Sequence, residues 1–146
     1  RFKITGRTKS YINTVGEELI VEQAEKAIAV ASEQTKAQIR EFTACPIPMG
    51  SKAGAHQWLI EFIHPPHNEG LFIATLDDEL KRLNSDYEAK RHKDMVLQSP
   101  VVTIIKSGVF DQWLKKKGKL GGQNKIPRLA NNREMAEELL SMNTNE

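Results

Sequence analysis

The run HQWLIEFIH at residues 56–64 constrains the fold of this chain more than any other stretch. Its aromatic and β-branched side chains favour a pleated strand, and no glycine or proline interrupts it. It is expected to be a central strand hydrogen-bonded on both edges, ended by the HPPHNEG that follows. Two further strands are expected beside it. Residues 38–48 set Ile39, Phe42 and Cys45 among polar neighbours before Pro46 and Pro48 lead into a loop. Residues 101–108 (VVTIIKSG) are β-branched, follow Pro100 and stop at Gly108.

Helices fill the intervals. Val21, Ala24, Ile28 and Ala31 recur at spacings of three and four, which predicts a helix over 21–35. Phe72, Leu76, Leu80, Leu83 and Tyr87 repeat the pattern and predict a long helix over 69–88. Asp77, Asp78 and Glu79 are expected on its solvated face, and Asn84, Ser85, Asp86 and Tyr87 are expected to end it through side chain to backbone hydrogen bonds. VFDQWLKKKGK reads as a short helix with Phe110, Trp113 and Leu114 inward. A last helix is expected after Asn131 or Asn132, either of which can cap it, running through Met135, Leu139 and Leu140.

At the start, residues 2–5 alternate as a half-exposed strand, with Tyr11 and Ile12 as a hairpin partner. The simplest arrangement that buries these stripes is an α+β domain, a ferredoxin-like antiparallel sheet with helices on one face, preceded by a small hairpin. The whole chain, 1–146, is read as a single domain, with 1–20 as hinge and hairpin and 21–146 as the core and its basic loop.

Composition narrows the function classes. A chain of 146 residues with 39% hydrophobic and 27% charged side chains is large enough for a core of its own. No run reaches the roughly 18 apolar residues of a membrane span and no leader is visible, so cytoplasmic residence without a membrane partner is expected. Cys45 is the only cysteine, which rules out an internal disulfide and favours a small buried side chain on a strand. The chain starts at Arg1 without methionine, and is expected to be a domain excised from a longer protein.

The stretch WLKKKGKLGGQNKIPR concentrates Lys115, Lys116, Lys117, Lys119, Lys125 and Arg128 with no acidic residue among them. Gly118, Gly121 and Gly122 allow close backbone approach, so ammonium groups and exposed N–H groups together suit a phosphate. On these residues alone, a solvated lysine face is the leading alternative. His56, His64 and His67 surround the central strand. The first two are expected at its ends and the third in a proline loop, and no metal site is expected.

Two motifs carry a resemblance. GRTKSYINTVGEELIVEQAEKAI at residues 6–28 and GKLGGQNKIPRL at 118–129, with LNSDYEAKR at 83–91 and VVTIIKSGVFDQWL at 101–114, resemble the C-terminal domain of adenylate-forming enzymes of the luciferase and acyl-CoA synthetase superfamily. They are most similar to the branch of auxin-responsive acyl-acid amido synthetases and their bacterial relatives. The wider pattern has lysine where Asn13 stands, arginine where Glu18 stands and glycine where Asn124 stands.

The resemblance implies a lid domain of an ATP-dependent ligase. Lys125, in Lys125-Ile126-Pro127-Arg128, would be the catalytic lysine. Arg7, Lys119 and Arg128 would bind the nucleotide cofactor, and Lys9 would be the hinge. ATP and Mg2+ would be held mainly by an N-terminal adenylation domain of the same protein, with a carboxylic acid and an amino acid as substrates and the lid alone inactive. A nucleic-acid-binding module of ferredoxin-like type is the first alternative, although the net charge is only +2. A small-ligand regulatory domain is the second.

Overall fold

The architecture comes from a computed structural model, which describes residues 11–12, 19–47, 54–91, 97–116, 126, 128–130 and 133–144. Strand β1 (Tyr11–Ile12) pairs antiparallel with β2 (Leu19–Ile20), Tyr11 facing Ile20 and Ile12 facing Leu19. The strand expected at 2–5 lies outside the described residues. Leu19 is fully buried, which ties this two-residue ribbon to the main core.

Helix α1 (Val21–Thr35) follows directly and has the predicted limits. Its buried face is Ala24, Ala27, Ile28, Ala31 and Thr35, mostly small, so α2 (Glu69–Leu83) packs closely against it. The end of α1 is set by Lys36 in the left-handed conformation (φ 59°), which lets the Ala37 N–H reach the Ser32 carbonyl at 2.9 Å. Asn68 caps α2, its side-chain oxygen accepting from the Leu71 N–H at 3.0 Å.

The main sheet has the order β3 (Gln38–Ile47), β4 (Ala55–His64), β5 (Val101–Ile104). The run at 56–64 therefore forms the central strand, as its composition predicts. Strands β3 and β4 are antiparallel, with Phe42 opposite Ile60 and Ala44 opposite Trp58. The α+β class holds, but the layout departs from the expected one in two respects. Strand β5 runs parallel to β4, with Trp58 beside Val102, so the sheet is mixed rather than antiparallel. Helices α2 and α3 (Ser85–Arg91) lie between the two strands in sequence, and such a connection carries the chain back to re-enter alongside β4.

Helices also cover both faces of the sheet, not one. Phe42, Ala44, Trp58 and Ile60 pack with α1, α2 and α3, while Cys45 and Leu59 pack with α4 (Val109–Lys116) and α5 (Glu134–Thr144). Successive strand residues point to opposite faces, so β4 must be apolar at both parities to sit between two cores. Every residue from 55 to 61 is buried. The described aromatic side chains of the sheet are engaged in packing: Phe42 and Trp58 are buried together, and Phe62 and Phe72 lie nearly perpendicular with ring centroids 5.6 Å apart.

The long helix expected over 69–88 is broken at Asn84. That residue is extended (φ −138°, ψ 106°); its N–H closes α2 on the Leu80 carbonyl at 2.9 Å, and its side-chain oxygen accepts the Tyr87 N–H at 2.9 Å to open α3. The apolar spacing continues through the break, which is why periodicity alone runs the two helices together. Asp77, expected in solvent, is buried instead. Its oxygens accept from Tyr87 Oη at 2.7 Å and from Arg91 Nε at 2.8 Å, with a second Arg91 contact beside them. The α2/α3 break bends the chain so that positions 87 and 91 fold back over 77.

Candidate functional site

The basic stretch 115–128 is the candidate site, and what the structure describes is how its two ends are held. The entry is α4. It begins where Gly108 adopts φ +89°, a conformation that glycine allows and other residues resist. The Gly108 N–H donates to Oε2 of Glu61 at 3.2 Å, and Glu61 is buried on β4. Arg40 on β3 binds Glu61 at 3.3 Å and Asp111, in the first turn of α4, at 2.7 Å. A central-strand carboxylate thereby fixes the start of the helix. Farther along, Trp113 Nε1 donates to Glu138 Oε1 at 2.7 Å, joining α4 to α5, and Lys115 and Lys116 are exposed at the last turn.

A methyl group at 108 would meet nothing within 4 Å, so its cost is conformational. Gly108→Ala is expected to destabilise the domain by about 1 kcal/mol, measured by chemical denaturation.

The exit lies on the other side of β3. Ile126 is buried in the core of α4 and α5, and Leu129 is buried in the opposite core with α1 and Trp58. Leu129 lies along the edge of β3 away from β4, where it forms a parallel bridge with Ala44. The Ala44 N–H donates to the Arg128 carbonyl and the Ala130 N–H to the Ala44 carbonyl, each at 2.9 Å. Two backbone hydrogen bonds and the burial of Leu129 hold residues 128–130 against β3.

Of the residues implied by the family motifs, Arg128 is described. Its Nη1 donates to the Phe42 carbonyl at 3.1 Å and to Glu41, its Nε lies 3.6 Å from Glu25 of α1, and the guanidinium stands 4.6 Å over the Phe42 ring. Lys125, Lys119, Arg7 and Lys9 lie outside the described residues. Among the described residues no group of three or more His, Cys, Asp or Glu is placed to hold a metal ion. His56 packs on Tyr87 at 5.5 Å, and His64 ends β4 opposite Gln38.

Sequence reasoning missed two polar groups that shape this region. Glu61 was hidden in an apolar strand, where a lone carboxylate amid buried neighbours was the available signal. Arg133 precedes α5 and binds the Pro46 carbonyl at 3.0 Å, Gln57 Oε1 at 2.8 Å and Glu137 at 2.9 Å. Gln57 passes the link on to Thr103 at 2.9 Å, so one arginine laces all three strands to α5.

Cys45 lies beneath it with Sγ 3.6 Å from Arg133 Nη1. Burial pushes the thiol up to about 11, against the opposing charge of Arg133. The native protein is therefore expected to resist thiol-directed alkylation at pH 8, reacting only on unfolding. Reagent titration with and without denaturant measures this.

The family model of the GH3 family C-terminal domain matches residues 22–134. The chain belongs to that family. Among solved structures, it is similar to a GH3.15 acyl acid amido synthetase at TM-score 0.72 and 19% identity, covering 91% of this chain. It is similar also to AtGH3.15 acyl acid amido synthetase in complex with 2,4-DB, at TM-score 0.73 and 19% identity over 92% of the chain. The chain spans 26% of the length of each. No curated protein matches it in sequence. At this identity the likeness to the GH3.15 structures carries the fold alone. Among the described residues no helix is long and apolar enough to cross a membrane.

Proposed function

We propose that this GH3 domain is the C-terminal lid of an ATP-dependent, adenylating acyl-acid amido synthetase. The observation that carries the reading is the anchoring of a lysine- and glycine-rich stretch at both ends, by α4 on one side and by the β3 edge on the other, within a domain of this family. A cationic stretch whose flanking residues are held in this way suits a task in which the domain brings positive charge to a reacting phosphate.

In the reaction, a carboxylate oxygen bonds to the α-phosphorus of ATP as the bond to pyrophosphate breaks, giving an acyl-adenylate. The amine of an amino acid then bonds to the acyl carbon, loses a proton and displaces AMP. Two anions must meet in the first step, and a positioned cation offsets their repulsion most where charge accumulates in the transition state. Lys125 is assigned that task. Arg7 and Lys119 are assigned as nucleotide contacts, and Lys9 as the hinge on which the lid turns between the two half-reactions. ATP, Mg2+ and the acid are assigned mainly to an N-terminal adenylation domain of the same protein, and the reaction to the cytoplasm.

The test is ATP–pyrophosphate exchange with a panel of carboxylic acids. The enzyme containing this domain is expected to exchange in an acid-dependent way, and this chain alone is expected not to. Absence of exchange with every acid would overturn the adenylation reading.

A further inference from the structure

We infer that the side chain of Asn143 is an edge guard: it takes the place of a neighbouring strand beside β5 and keeps a second copy of this chain from pairing there. The inference is independent of the adenylation reading. Strand β5 is the outer strand of the sheet, and among the described residues no strand lies beyond it. The Ile105 N–H donates to the Ile60 carbonyl of β4 at 2.8 Å. Backbone groups of successive strand residues point to alternate sides, so those of Val102 and Ile104, and the Lys106 N–H, point away from β4. An outward row of this kind is a template for another strand.

Asn143, in the last turn of α5, meets that row. Its Oδ1 accepts the Lys106 N–H at 2.8 Å, and its Nδ2 donates to the Ile104 carbonyl at 3.2 Å. A parallel neighbour would offer the C=O and N–H of one residue to these same two groups, so the carboxamide reproduces one residue of a further strand. The cover is short. Its two bonds stop at Ile104, before Val102, and Val101 and Ile104 remain 41% and 47% exposed.

A second copy is the occupant that this edge fits. All four residues of β5 are β-branched, Val101, Val102, Thr103 and Ile104. In antiparallel pairing about a twofold axis at Thr103, Val102 faces Ile104 of the copy twice, and both offer their outward N–H and C=O groups. Such side chains pack well across strands. Lys106 falls opposite Pro100 of the copy. The two Lys106 side chains then stand roughly 20 Å apart along the sheet, beyond the about 8 Å over which exposed charges act at physiological salt. That pairing needs the Ile104 carbonyl and the space beside it, which Asn143 holds. Residue 143 lies one position before the end of α5, where the last carbonyls have no helical partner, so losing its two contacts lets the turn fray and bares the edge.

The experiment is sedimentation equilibrium of the full-length protein containing this domain over a range of concentrations, with hydrogen exchange of the Val102 and Ile104 amides alongside. The wild type is compared with Asn143→Ala, Asn143→Asp, and Asn143→Ala combined with Ile104→Lys. Asn143→Ala is expected to strengthen self-association about tenfold or more, because two competing hydrogen bonds are gone, and to slow exchange at Val102 and Ile104 as concentration rises. Lysine at 104 puts a charge on the edge and is expected to return the double variant to wild-type behaviour. Asn143→Asp keeps the acceptor for Lys106 and loses the donor to Ile104. A smaller gain is expected there, and it decides the matter where Asn143→Ala folds poorly. Association unchanged in both single variants, or strengthened but indifferent to lysine at 104, overturns the guard. Slowed exchange at these amides with the mass unchanged means that another segment covers the edge, and overturns the second copy as its partner.

Discussion

Lys125→Ala in the full-length enzyme is expected to lower acid-dependent ATP–pyrophosphate exchange by about 100- to 1,000-fold, the range found when one preorganised donor to a developing charge is removed. The loss should fall on kcat, because the cation is needed where charge builds up between carboxylate and phosphate and less where ATP merely binds. Arginine at 125 would keep the charge but replace a compact ammonium by a broad, planar fork, and should restore only part of the rate. The second half-reaction, supplied with preformed acyl-adenylate and amine, should lose far less. Steady-state exchange and single-turnover amide formation separate the two. Equal losses in both would mean that the substitution damages the lid as a whole.

Asp77→Ala is expected to destabilise the domain by about 3–5 kcal/mol, the cost of leaving the buried Arg91 without its partner. Chemical denaturation at neutral pH measures it. Asp77 and Arg91 are both buried, and Tyr87 and the Leu97 carbonyl complete the cluster, so solvent offers little screening if one member is lost. Lys81 reaches the same carboxylate at 3.5 Å from the surface side. Removing both Asp77 and Arg91 should cost less than the two single losses added together, which a double-mutant cycle reads directly.

The same cluster gives a pH dependence with a definite sign. Burial pushes the Asp77 carboxyl up, but hydrogen bonds from Arg91 and Tyr87 and the charges of Arg91 and Lys81 outweigh it, and the group titrates below its ordinary value of 3.8. A carboxyl depressed in the folded state adds stability that is complete above its unfolded value and is lost as pH falls through the folded one. Wild-type stability should therefore decline below about pH 4, and Asp77→Ala should show less of that decline.

The elements were largely legible because each carries a local pattern. The stripe from Val21 to Ala31 sets α1, the unbroken run at 56–64 sets the central strand, and Gly108 marks the turn into α4. The departures arose where a local pattern has two tertiary uses. Apolar residues at both parities of β4 are compatible with one thick core or two, and the structure has two. The stripe through Phe72, Leu76, Leu80, Leu83 and Tyr87 stays in phase across Asn84, so its break is invisible to periodicity and visible only in the hydrogen bonds of Asn84 itself.

The candidate site divides the same way. Chain order alone placed Lys125 and Arg128 in a basic, glycine-rich stretch and carried the family resemblance that the domain match bears out. Residue spacing does not reveal that Arg128 grips Glu41 and Phe42, which precede it by more than eighty positions. Nor does it show that Glu61, Arg40 and Asp111 converge on the start of α4. Hydrophobic period and backbone propensity act between near neighbours, so the sequence by itself determined the helices, the strands and the chemistry available to the loop. Strand direction, the two-sided core and the partners of buried charges depend on which distant segments meet, and only the tertiary structure decided them.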